Sequence, residues 1–177
     1  MDTLQFNNLL LKTAFSCMAC DGDIDKREVK LIKHLQKESK IFGEVDINAK
    51  LDTFILAINK DGRQFMSDYF TELATAELVE ARELKLIEVA IDTIKADEKV
   101  EYNEIKFFKV IRSKLKIGDE SILEKHPDFE YYLEQDIITN SYLLRLQEDF
   151  FDTYILNEFE LTTKIDDEIL NNLIEKN

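Results

Sequence analysis

Apolar residues in this chain recur every three to four positions. Leu4, Leu9, Leu11, Phe15 and Met18 form one such series, and Val29, Ile32 and Leu35 another, with Leu31 widening its face. That spacing puts apolar side chains on one side of an α-helix. Extended through the sequence, it predicts helices over about 3–20, 26–41, 46–60, 63–74, 76–96, 102–116, 120–125, 129–157 (broken near 136) and 166–175. Alternation of period two is nearly absent, and the short FELTTKI at 159–165 is its best candidate.

The punctuation agrees with the periodicity. Four glycines and one proline occur in 177 residues, and Gly22, Gly43, Gly62, Gly118 and Pro127 all fall where helical spacing breaks. The expected fold class is therefore all-α. A chain of this length suits one compact unit, here divided into a helical domain at 1–118 and a C-terminal helical extension at 119–177.

An internal repeat organises the first part. A shift of 76 residues places LLLKTAFSCMACDGDIDKREVKLIKHL on KLIEVAIDTIKADEKVEYNEIKFFKVI. Asp21 then meets Asp97, Ile24 meets Val100, and Glu28 meets Glu104. The flanking apolar positions also match: Leu10 with Leu86, Phe15 with Ile91, Met18 with Ile94, Val29 with Ile105 and Ile32 with Phe108. Two pseudo-repeated helix-turn-helix units are expected to form the bundle, with further helices after them.

The back half of the first turn resembles a calcium loop, but the front half lacks the ligands. In a loop ending at Glu28, positions 1, 3 and 5 are Cys17, Ala19 and Asp21. The second copy offers Thr93, Lys95 and Asp97, with Glu98 where the sharp turn needs glycine. Simple turn chemistry explains most of copy one. Asp25 suits an N-cap, Glu28 completes a capping box, and Gly22 tolerates a left-handed helix end, the cap contributing about 1 kcal/mol. Copy two is explained less well, because Glu101 caps poorly. If the units pack about a pseudo-two-fold axis, Asp21, Glu28, Asp97 and Glu104 face one another and can recruit a divalent cation.

The two turns, ACDGDIDKRE at 19–28 and KADEKVEYNE at 95–104, resemble those of the TerB-like tellurite-resistance domain, over about residues 5–118. That resemblance implies a helical bacterial domain of stress-response systems, also found in membrane-anchored J-domain cochaperones, with no established enzymatic activity. It further implies a metal site at Asp21, Glu28, Asp97 and Glu104. Glu98 departs from the family's glycine, which places the second turn's geometry in doubt.

Composition narrows the function classes. The net charge is −14, and residues 120–177 carry 15 acids against 4 bases. Such a surface disfavours nucleic acid and anionic membranes, which need clustered Lys and Arg, and favours a cation or a basic protein partner. The extension also holds eight of eighteen aromatic residues, so it is expected to pack on the bundle. Cys17 and Cys20 form a CxxC at a helix C-terminus, where the dipole opposes a thiolate. With only His34 and His126 as histidines, core-facing thiols are favoured over zinc ligation.

No apolar run is long enough to cross a bilayer and the first residues lack a secretory pattern, so a cytoplasmic location is expected. No nucleophile with a placed base and no phosphate-cradling loop is found, which argues against an enzyme. The leading expectation is a non-enzymatic interaction or stress-response module binding a divalent cation through its acidic turns. The alternative is an acidic docking protein that binds a basic partner through 120–177.

Overall fold

A computed structural model describes residues 1–22, 24, 26–96, 100 and 102–133; of Asp21, Lys26, Tyr102 and Tyr131 it describes the backbone alone. The protein is all-α: among the described residues every regular element is helical. These are α1 (Thr3–Met18), α2 (Lys26–Ser39), α3 (Ile47–Lys60), α4 (Gly62–Thr75), α5 (Glu80–Ile94), α6 (Tyr102–Lys114), α7 (Asp119–Leu123) and α8 (Glu130–Leu133), with 3-10 turns at Ala19–Asp21 and Pro127–Phe129. FELTTKI and the helix expected at 166–175 lie outside the described residues, as does most of the 129–157 helix.

Short polar side chains start several helices. Asp2 closes a capping box with Gln5, accepting its backbone N–H at 2.8 Å while the Gln5 carbonyl oxygen accepts from Asp2 N–H at 3.1 Å. Asp46 caps α3 by accepting from Ala49 N–H at 3.1 Å. Asp61 alone separates α3 from α4 and accepts from Gln64 N–H at 2.9 Å. A helix can restart after one residue there because the new cap satisfies the orphan donors.

Two expectations need correction. The fifth helix starts at Glu80, not near 76, because Ala76 and Val79 have extended backbone and Val79 is the N-cap. Residues 76–79 contain no glycine or proline, so nothing local marks the turn. Leu4, placed by its spacing on the apolar face, is 63% exposed, because the bundle starts to cover α1 only from Phe6.

The core is built around α1, whose residues 9–11 and 13–18 are all buried. It packs most extensively on α5 and also touches α3, α4 and α6. Phe15 lies 5.4 Å from Phe54 and 5.5 Å from Phe65, ring centre to ring centre, which ties α1 to α3 and α4. Tyr69, Phe70 and Phe107 join α4 to α6. Residues 119–133, the start of the expected extension, pack on α5 and α6 through buried Ile122 and Phe129.

The link from α2 to α3 is held by one glutamine. Gln36 donates from Nε2 to the Gly43 carbonyl at 2.6 Å and accepts from Phe42 N–H at 3.1 Å. Gly43 has φ +65°, and a Cβ there would collide with the Asn7 side-chain amide. Gly43→Ala is therefore expected to lose about 1–2 kcal/mol in urea unfolding, from the left-handed backbone and the collision together. A variant as stable as the parent would show that the turn relaxes freely.

Candidate functional site

The two hairpins share their boundaries at the offset of 76 residues. The first helix ends at Met18 in one and Ile94 in the other; the second begins at Lys26 and Tyr102. The caps that end α1 and α5 also agree. Ala19 has φ −83° and ψ −3° and its N–H donates to the Phe15 and Cys17 carbonyls; Lys95 has φ −88° and ψ 0° and its N–H donates to the Ile91 and Thr93 carbonyls. The first turn then closes through Gly22 at φ +89°. Contacts between the hairpins are reciprocal: α1 touches α6 and α2 touches α5.

Glu28 and Glu104, each in the first turn of its helix, are the two expected site residues whose side chains are described. Both are buried, at 6% and 5% exposure. A carboxylate needs compensation to leave water, and the N-terminal end of a helix supplies part of it through its dipole and free N–H groups. Of Asp21 only the backbone is described, in the 3-10 turn, and Asp97 lies outside the described residues.

Cys17 connects the two glutamates. Its thiol is fully buried and held well above the ordinary cysteine range, first by burial, then by the negative charge of Glu104 and of Glu28. One carboxylate from each hairpin thus acts on the same sulfur, which is protonated at neutral pH and unsuited to nucleophilic work. Both cysteines are free and buried, as core-facing thiols should be.

Sequence reading missed a buried polar stripe. Thr13, Ser16, Cys17 and Cys20 follow i, i+3, i+4 and i+7 along one face of α1 and its 3-10 extension, and all four are buried. Tyr69 donates from Oη to Thr13 Oγ1 at 3.1 Å, and Thr13 passes its own hydrogen to the Leu9 carbonyl at 2.9 Å. Burial raises the Tyr69 phenol well above its usual value, and the Cys17 sulfur adds to the effect. Ser16 Oγ has no hydrogen-bond partner. The spacing alone was a usable signal, since a polar series at helical period inside an apolar helix marks a distinct face.

Among the described residues, no group of three or more His, Cys, Asp and Glu side chains gathers closely enough to hold a metal ion. His34 is exposed on α2, and no described helix is long and apolar enough to cross a membrane. Comparison of the chain with family models, curated proteins and solved structures finds no match in any of the three.

Proposed function

We propose that this chain is a non-enzymatic, TerB-like interaction or stress-response module that binds a divalent cation at its paired acidic turns. The observation that supports it most is the burial of Glu28 and Glu104, 76 positions apart, both acting on the Cys17 thiol. Matching helix bounds and matching caps support the underlying repeat. Asp21 and Asp97 are the partners that the sequence assigns to the same site. Four carboxylates are hard oxygen donors, suited to calcium, magnesium or manganese more than to softer ions. The cation would offset the repulsion between carboxylates from the two hairpins and so lock the turns together. A module of this kind works by presenting a surface to a protein partner.

Thermal unfolding of the full chain with calcium, magnesium, manganese and zinc tests the cation. At ten times its dissociation constant, a bound ion is expected to add about 1.4 kcal/mol of stability. The gain should vanish in the variant D21N/E28Q/D97N/E104Q. A melting temperature that none of the four ions changes removes the cation from this reading.

A further inference from the structure

The segment that follows α6 is fastened along one side of α5 by a series of polar contacts. Near the start of α5, Glu80 accepts from the Ser121 hydroxyl at 2.6 Å and Glu83 accepts from Lys116 N–H at 2.9 Å. Farther along, Glu88 pairs with Lys125 at 2.8 Å, and Lys95, just past the helix, pairs with Asp128. Asp92 lies between Glu88 and Lys95 on the same face of α5, one turn from each. His126 lies between Lys125 and Asp128. The two flanking ion pairs therefore set Asp92 across from His126, within reach of its charge.

We propose that the Asp92–His126 pairing makes the seating of residues 119–133 on α5 depend on pH, with the segment held more tightly at pH 5.5 than at pH 7.5. Histidine is the side chain whose charge ordinarily changes in that interval. As His126 gains a proton it meets the Asp92 anion, and Asp128 on its own segment adds attraction. Glu88 contributes more negative charge, while Lys95 and Lys125 oppose, each already paired with a carboxylate.

Asp92 acts in the same sense. Partial loss of water around its carboxyl raises it above the ordinary aspartate value, so proton uptake there also favours the seated state. Below about pH 4 the Glu88 and Asp128 pairs are themselves neutralised, which sets the lower limit of the effect. The seated segment carries Phe129, buried against Phe108 at 4.8 Å, and leads into residues 134–177. The pairing consequently adjusts how firmly that acidic, aromatic stretch is tethered, independently of any cation at the turns.

Backbone amide exchange on the full chain reads the effect directly. His126 N–H donates to the Ile122 carbonyl and Phe129 N–H to the His126 carbonyl, so both report seating. After correction for intrinsic exchange, their protection relative to amides in the middle of α3 should be about two- to five-fold higher at pH 5.5 than at pH 7.5, the range for a surface ion pair. His126→Gln and Asp92→Asn should each flatten that difference. Equal or lower relative protection at pH 5.5, or an unchanged slope in both variants, overturns the proposal.

Discussion

Phe15→Ala is expected to lower the stability of this protein by about 3–5 kcal/mol, the range for removing a large aromatic side chain from a packed core. Phe15 is completely buried and meets Phe54 and Phe65 in tilted and edge-on contacts at 5.4 and 5.5 Å. Phe54 and Phe65 also touch each other, at 5.9 Å, so all three rings form one cluster at the junction of α1, α3 and α4. The site cannot collapse easily, because α1 is covered by α3, α4, α5 and α6 and has no free side toward which to shift. Losing the ring leaves a cavity rather than a repacked wall. Against a usual folding stability of about 5–15 kcal/mol, this loss is a large share. Urea denaturation should show a lower midpoint with an unchanged slope, and Phe15→Leu should recover more than half of the difference. A loss under about 1 kcal/mol would mean that α1 is not the central helix.

Glu83→Ala is the second large effect, about 2–3 kcal/mol. Glu83 is 5% exposed, sits in the first turn of α5 and accepts the backbone N–H of Lys116 at 2.9 Å. Lys116 follows the end of α6, where the chain turns back toward α7, so the carboxylate clamps the start of the segment discussed above. Alanine leaves that N–H without its charged acceptor, and such bonds contribute about 1.5–3 kcal/mol. The helix N-terminus also loses a favourable anion. Glu83→Gln keeps an acceptor in the same place and should cost about 1 kcal/mol or less. Amide exchange at Lys116 should accelerate in the alanine variant and stay slow in the glutamine variant. Equal losses for both would assign the effect to charge alone.

Much of the architecture was legible because helical period is a local property. The offset of 76 residues, read from apolar spacing, coincides with the observed ends of α1 and α5 and starts of α2 and α6. Asp2, Asp46 and Asp61 act as caps through atoms three residues away. The start of α5 was misplaced by four residues, since AELV has no breaker and its extended course is imposed by packing. Leu4 was assigned to the apolar face because periodicity shows which side of a helix is greasy, not where cover begins.

For the candidate site the division is similar. The pairing of Glu28 with Glu104 was visible as a recurring acid, and their side chains are indeed buried in the first turns of α2 and α6. Their shared reach to Cys17, the Thr13–Tyr69 hydrogen bond and the Lys116–Glu83 contact were not visible. Tyr69 lies 56 positions from Thr13, and Glu83 lies 33 from Lys116.

The sequence by itself determined that this protein is helical, where most helices begin and end, and that two acidic turns recur at one spacing. Each of these follows from interactions within about four residues, which chain order states directly. The tertiary structure decided that α1 is the buried helix and that two glutamates converge on one thiol. It also decided which acids of α5 hold the segment after α6. Those outcomes depend on how whole helices dock, and docking is set by the summed fit of many side chains rather than by any neighbourhood along the chain.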